Sequence, residues 1–597
     1  MSAPQSAQPP ALSLKPHHSE ATELPEVHEN EWYRQDFGGG YRVKELPLHT
    51  KRPLRMIIVG AGAAGLQIAY KAERELENVS FEIYEKNDDV GGTWYENRYP
   101  GCTCDIPSHS YQWSFWRNPG WSDFYSSSSE IWQYMKDFAV SHDLEKHVRF
   151  KHTVQEAKWV PSDGVWEVKI QDPQGKAFTK RAEFLASCHG GLNQYRFPDI
   201  PGVDKFRGKL MHSAHWDDTY DLTNKTVAVI GGGSSAVQII PSIQPCVKKL
   251  VPFLRSPVWV TSGFGAKFAG PGGANFSYSK EEKKNFDQAD ILDKYGREVE
   301  AELNKRFTLM HLNSADQKMS RAYVREDMKQ KLGHDPRLTQ HLIPDFALGC
   351  RRMTPGSGYL QSLLKENVEV VTDSAVEFTV DGVIDASGKE YKVDAIICAT
   401  GFETGSPSYN IIGQNGRSLS EKWQLNARGY LSCMVDGFPN LFYFIGPNGP
   451  ASHGSILPVI EWITRYMFKV ISHAQRTSIK SISPKREAVE EAYVHTHELL
   501  KRTAWSASCS SWFKGGKKHG PVTAIWPGSR LHWFESLKEP RYEDFDIEYS
   551  GNRFSYLGNG YTFTELHEET NAVWYFDVLK EELQSGKSAF DVAPIQH

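Results

Sequence analysis

A chain of 597 residues has room for about three to five domains, or fewer large ones. Its 40% hydrophobic and 24% charged residues exclude disorder as the main state. With 68 basic side chains against 73 acidic ones the formal charge is −5, so no bulk field draws the chain to nucleic acid or to an anionic membrane, and small molecules are the expected partners.

Eight cysteines are too sparse for a disulfide scaffold. Their one tight cluster, Cys102 and Cys104, has the spacing of neither a redox pair nor a zinc site, so reduced thiols in the cytoplasm are expected. The uncharged run 226–246 is too rich in Gly, Ser, Gln and Pro for a membrane span. Residues 1–27 lack a charged segment followed by an apolar one and read as a loose tail rather than a secretory signal.

Along the chain, the aromatics and glycines of 32–41 suggest a segment packed on a surface, and Leu54–Val59 is the first apolar strand. One pattern then occurs twice, near Gly60 and near Gly231: an apolar run ends in a glycine cluster and opens into a helix. Residues 264–344 turn charged and helix-forming, as an insertion would. Strand patterns return at 368–371 and at Ala395–Cys398, and short irregular stretches rich in Trp, Tyr and Gly follow. The pattern predicts an α/β fold with two Rossmann-like dinucleotide-binding domains and a helical insertion. The expected division is an N-terminal extension over 1–50, a first part of one nucleotide domain over 51–205, a second nucleotide domain over 206–384 that contains the insertion, and the remainder of the first domain with a C-terminal extension over 385–597.

In Met56-Ile-Ile-Val-Gly60-Ala-Gly62-Ala-Ala-Gly65 a buried strand meets three glycines. Their spacing lets backbone approach a pyrophosphate and aims a helix N-terminus at it. The next strand, 80–84, ends in Glu85, a partner for ribose hydroxyls and a poor neighbour for a ribose phosphate, so FAD or NAD suits the site. The second copy, Val227-Ala-Val-Ile-Gly231-Gly-Gly233-Ser-Ser-Ala236, has alanine where only close packing is needed. Its following strand, 249–254, leads to Arg255-Ser256, and a guanidinium there favours a 2′-phosphate, hence NADPH.

Two redox cofactors imply hydride transfer from NADPH to flavin. Cys102-Thr-Cys104 is wrongly spaced for passing the electrons to a disulfide. Phe206-Arg-Gly208-Lys-Leu-Met-His212-Ser-Ala-His215-Trp216-Asp217 resembles the fingerprint of the type I Baeyer–Villiger monooxygenases, and Gly92-Thr-Trp94-Tyr-Glu-Asn-Arg-Tyr99-Pro100-Gly101-Cys-Thr-Cys-Asp105 is similar to that family's second signature. Trp216 stands where related heteroatom-oxygenating enzymes have Tyr or Phe. The resemblance spans about residues 54–520 and includes Cys350-Arg351-Arg352-Met353 and Ser511-Trp512.

The resemblance implies an FAD enzyme that uses NADPH and dioxygen to convert ketones to esters or lactones. In that family the reduced flavin takes up dioxygen at carbon 4a, and the deprotonated peroxide attacks the carbonyl. Arg352 matches the active-site arginine, Asp105 the acid that pairs with it, Trp94 and Tyr111 residues that line the flavin, and Trp512 one that closes over the nicotinamide cofactor. Arg351 is expected on NADP. The cofactor-binding set is then Gly60, Gly62, Gly65, Glu85, Thr93, Trp94, Thr103, Asp105, Tyr111, Gly231, Gly233, Ser234, Ser235, Gln238, Arg255, Ser256, Arg351 and Trp512. His212 reads as structural or motion-coupling, and His215, His189 and His453 lack partners at metal-ligand spacing. Hinges are expected near Phe206 and Asp381. The rival readings are a heteroatom monooxygenase and a non-catalytic NADPH/FAD redox sensor.

Overall fold

The computed structural model describes residues 35–37, 39–404, 407–451, 454–566 and 571–585. The tail expected at 1–27 lies outside them, as does the start of the aromatic segment at 32–41. Phe37 and Tyr41, its described aromatics, are exposed. The chain divides into two compact units, Leu48–Leu557 and a smaller one drawn from Met1–Pro47 with Gly558–His597. The described part of the smaller unit carries the helices Phe563–Leu566 and Trp574–Ser585.

The fold of the larger unit is mixed α/β, with two parallel sheets at its centre. The first runs in the order Leu441–Tyr443, Phe184–Ser187, Leu54–Val59, Val79–Tyr84, Val148–Arg149, with every neighbouring pair parallel. Leu54–Val59 is buried at every position but one and reads as a continuous apolar run, as a strand covered on both faces must. The second sheet runs in the order Lys249–Phe253, Thr226–Ile230, Ala395–Cys398, Lys209–His212, again parallel throughout. Smaller sheets flank these, among them an antiparallel meander of Thr153–Val160, Val165–Gln171 and Ala177–Ala182.

Two expectations are corrected. Residues 368–371 form no continuous strand: only Val368 and Val371 bridge, to Leu250 and Phe253. The strand they face contains Pro252, whose missing N–H interrupts the ladder at the intervening position. The C-terminal part is also less irregular than its composition suggests. Leu457–Arg476 is a 20-residue helix with Ile460, Ile463, Met467, Val470, Ile471 and Ala474 buried along one stripe. It packs on the helix Ala63–Glu75, and Gln67 Nε2 donates to Thr464 Oγ1 at 2.9 Å between the two. Between the strands Lys249–Phe253 and Ala395–Cys398 of the second sheet come the helices Lys280–Phe286, Ala289–Asn304, Ala315–Lys331 and Pro336–Leu342. They fill the later part of the stretch 264–344 read as helical, while 264–279 holds no helix beyond the short turn Pro271–Gly273.

Asn440 ties the first sheet together. Its side chain is buried and donates to the carbonyls of Glu183 and Lys480, each at 3.0 Å, while its Oδ1 accepts from Ile482 N–H at 2.9 Å. Its backbone has φ of +55°, a conformation asparagine tolerates better than most residues. Asn440→Ala leaves one buried N–H, of Ile482, and two half-buried carbonyls, of Glu183 and Lys480, without these partners and is expected to cost about 2 kcal/mol or more. Urea unfolding checks this, and a loss under about 1 kcal/mol contradicts the assigned role.

Candidate active site

The first glycine cluster is shaped by close approach. Gly60 has φ of +103°, and a Cβ there would lie 2.7 Å from the Cys188 carbonyl oxygen. A Cβ on Gly65 would lie 2.0 Å from the Gly60 oxygen. The chain therefore turns tightly into the helix Ala63–Glu75, whose N-cap Gly62 offers no side-chain acceptor to the first helical N–H groups. Gly62 and Ala63 line a cavity of about 610 Å³. A helix start with uncommitted N–H groups beside a cavity that a side chain would fill is a cradle for a dinucleotide pyrophosphate.

Glu85 lines the same cavity. It is buried, and its oxygens accept from Ala61 N–H at 2.7 Å and Asn87 N–H at 2.9 Å. Burial raises its pKa against those two donors. Thr93 and Trp94 begin the short helix Thr93–Glu96 on another wall. Trp94 Nε1 donates to Tyr111 Oη at 3.1 Å with the rings edge to face, which fixes both aromatics at the cavity surface. Trp512, in the turn Trp512–Lys514, lines it as well.

Sequence reasoning missed His189, which it weighed only as a metal ligand. It lines the cavity. Its Nδ1 meets Ser187 Oγ at 2.9 Å and its Nε2 meets Tyr443 Oη at 3.0 Å. Burial lowers its pKa to about 4, so it presents a neutral, fixed ring at pH 7.

Asp105 and Arg352 form an ion pair across 247 residues: Nη2 donates to Oδ1 at 2.7 Å and to Oδ2 at 2.5 Å. The carboxylate raises the arginine pKa further, so the guanidinium is cationic at every working pH. Its carbon stands 5.8 Å from the centre of the Phe264 ring. Tyr111, on the cavity wall, feels both members of the pair, and burial first of all raises its pKa. Phe264 was not foreseen, because its neighbours in sequence carry no pattern.

At the second cluster Gly231 has φ of +131°, and a Cβ there would lie 2.3 Å from the Ala399 oxygen. Gly233 caps the helix Ser234–Ile243, again without a side-chain acceptor. Gln238 of that helix donates to Thr103 Oγ1 at 3.1 Å and to its carbonyl at 3.0 Å, and accepts from Tyr99 Oη at 2.8 Å. Ser235 also bonds the Tyr99 side chain, and Ser234 Oγ lies 3.5 Å from Thr354 Oγ1. In this structure Gln238 and Ser235 therefore join the helix of the second glycine cluster to the segment carrying Tyr99 and Thr103.

Arg255 is exposed just past the strand Lys249–Phe253, with Ser256 beside it. Arg351 donates to the Pro257 carbonyl at 3.2 Å, and its buried Nε has no hydrogen-bond partner. Burial and then the Arg255 charge lower the Arg351 pKa, and Arg351 in turn helps to lower that of Lys514. Arg351 thus stands within electrostatic reach of both Arg255 and Lys514, and these are the side chains that could hold the phosphates of a dinucleotide.

His212 is buried with its Nδ1 accepting from Ala214 N–H at 3.1 Å and its ring stacked on Tyr195. Burial lowers its pKa to about 4, so it is neutral at pH 7. Lys209 and Asp217 of the same fingerprint form an ion pair. Among the described residues no group of three His, Cys, Asp or Glu is placed to hold a metal ion; His453 lies outside them. None of the described helices is long and apolar enough to cross a membrane. The expectation of reduced thiols is corrected at one pair: Cys350 and Cys509 are joined by a disulfide. Their separation of 159 residues left no local signal of it.

Known proteins match this arrangement closely. Residues 53–267 fit the flavin-binding monooxygenase-like family. The chain is 38% identical over 542 residues to an FAD-binding monooxygenase from Dothistroma septosporum, covering 89% of this chain and 86% of the relative. It is 34% identical over 507 residues to a Baeyer-Villiger monooxygenase from Streptomyces coelicolor, covering 83% and 92%. Among solved structures, cyclohexanone monooxygenase from Rhodococcus sp. Phi1 bound to NADP+ superposes with a TM-score of 0.72 at 25% identity, covering 84% of this chain and 100% of that one. With glycine cradles on two parallel sheets and such relatives along most of its length, the chain belongs to the class B flavoprotein monooxygenases, in the type I Baeyer–Villiger group.

Proposed function

We propose that the protein is an FAD enzyme that uses NADPH and dioxygen to convert ketones to esters or lactones. The observation that carries this reading is the Arg352–Asp105 pair beside Tyr111 at the cavity wall. Residues 51–205 are read as the first part of the FAD domain. The expected boundary at 384/385 moves past Cys398, because Ala395–Cys398 pairs with Lys209–His212 and Thr226–Ile230 in the second sheet, so 206–398 is read as the NADP domain and the remainder as the rest of the FAD domain. The FAD-binding monooxygenase relative and the NADP+-bound structural neighbour support both cofactors. The cytoplasm, where NADPH is regenerated, is the compartment this reading favours.

FAD, when bound, would supply the activation of dioxygen. The protein's own task is then electrostatic. Gly60, Gly62 and Gly65 would let the pyrophosphate sit on the helix start, and Glu85 would accept ribose hydroxyls through lone pairs its backbone donors do not use. Trp94, Tyr111 and His189 would hold an apolar, rigid floor with no titrating group near pH 7. Arg255, Ser256 and Arg351 would take the phosphates of NADPH, and Trp512 would cover the nicotinamide side and keep water out.

Arg352 would hold negative charge on oxygen. A cation about 4 Å from an oxyanion is worth about 4 kcal/mol at the effective dielectric of a partly shielded site, against about 1 kcal/mol in water. Asp105 is bonded through Nη2 alone, so the rest of the fork can follow an oxyanion as it shifts from one oxygen to the carbonyl-derived one. Flavin reduction, which builds no such charge near Arg352, should not need it.

The reading is tested by supplying the purified enzyme, NADPH and labelled dioxygen with a ketone and a sulfide side by side. An ester or lactone carrying one labelled oxygen supports it. A sulfoxide alone would replace it with heteroatom oxygenation, and NADPH oxidation indifferent to either substrate would sink both. In Arg352→Ala, reduction of flavin by NADPH is expected within about twofold of the parent, while ester formation falls by about 100-fold or more and electrons leave as hydrogen peroxide. Rapid-mixing absorbance and product analysis separate the two steps. In Arg255→Ala, KM for NADPH is expected to rise about tenfold with KM for NADH unchanged, the loss of one charge-assisted hydrogen bond to the 2′-phosphate. An equal change for both nucleotides contradicts the assignment.

A further inference from the structure

The segment that carries the arginine pair is covalently joined to the segment that carries Trp512. Cys350 directly precedes Arg351 and Arg352, and Cys509 stands three residues before Trp512, with the two Cα atoms 6.3 Å apart. Both cysteines are buried. Phe513, Val522 and Ile525 pack with Trp505 and Met310 as a small core on this side of the molecule. Lys514 Nζ lies 3.9 Å from Cys350 Sγ and also donates to the carbonyls of Ala507 at 2.6 Å and Lys518 at 3.1 Å.

We propose that Cys350–Cys509 is a redox modification site. In its bonded state it holds Arg351, Arg352 and Trp512 in one register, and opening it by a dithiol reductant loosens their grip on the nicotinamide dinucleotide. The inference rests on the function proposed above only in naming NADP+ as that nucleotide.

The surroundings give the exchange a direction. A reductant thiolate attacks Cys509 Sγ, a mixed disulfide forms there, and Cys350 leaves as a thiolate beside the Lys514 ammonium and the neighbouring Arg351. The second thiol of the reductant then displaces Cys509. Overall the protein disulfide gains two electrons and two protons, and the dithiol is oxidised to its own disulfide. In a compartment with a reducing thiol pool a bond of this kind is transient and responsive rather than a permanent staple. Because the sulfurs are buried, exchange needs the 505–520 segment to lift. Trp512, Gly515, Thr523 and Ala524 line the cofactor cavity, so a filled cavity resists that movement.

The test uses the holoenzyme as isolated under air, the same enzyme after dithiothreitol, and the variants Cys509→Ser and Cys350→Ser. Differential alkylation and peptide mass mapping should find Cys350 and Cys509 protected until reduction while Cys246, the exposed thiol, reacts at once. Saturating NADP+ should slow the reduction. Calorimetry should show NADP+ binding about tenfold weaker after reduction, as removal of a single charge-assisted hydrogen bond would produce. Cys509→Ser should sit at the weak value with or without dithiothreitol. Two free thiols in the air-oxidised protein, or equal NADP+ affinity in both states, would overturn the proposal. Alkylation and affinity are read without ketone, so absence of ester product bears on the proposed activity and leaves this test intact.

Discussion

In the proposed function a negative oxygen would sit beside a positive group that cannot give up its proton and that must not be neutralised by two anionic cofactors, and the Arg352–Asp105 pair would answer that constraint. A lone guanidinium at a partly shielded wall would be drawn to the nearest phosphate; with Asp105 holding Nη2, its position is set before any ligand arrives. Asp105 balances the resting charge and bonds Nη2 alone.

The segment that carries Asp105 is tied to the helix of the second glycine cluster. Asp105 follows Thr103 and Cys104 in the segment that Gln238 grips from the second sheet's helix. A shift of that helix is felt at Thr103, two residues from the carboxylate. Arg352 comes from the far side, on the stretch between the helical insertion and the strand Ala395–Cys398. Two loop residues far apart in sequence thus meet at one ion pair, and a movement of either loop would change the reach of the arginine without breaking a strand.

What was legible in the sequence was local. Both glycine clusters declare themselves because strand, tight turn and helix follow within about a dozen residues, and Gly60 and Gly231 have the positive φ such turns need. The α/β class and the helical stretch 264–344 follow from periodicity alone. Arg352 and Asp105 entered through family signatures, not through any property of their own neighbourhoods. The failures share a cause: long-range partners outweighed local composition. Pro252 broke a ladder that 368–371 would otherwise complete, and the helix Leu457–Arg476 was hidden among aromatics and glycines that are packing residues. His189 looked idle until Ser187 and Tyr443 were seen on its two nitrogens. Cys350 and Cys509 could not be paired across 159 residues.

The most direct measurement of the central claim is a crystal structure of the protein with FAD and NADP+ bound, refined for the position of the Arg352 side chain. The guanidinium should face the oxygen-accepting side of the flavin ring, within hydrogen-bonding reach of where an oxygen on that ring would stand, with Asp105 still bonded to it. A side chain turned away from the ring in every arrangement of the two nucleotide sites would contradict the claim.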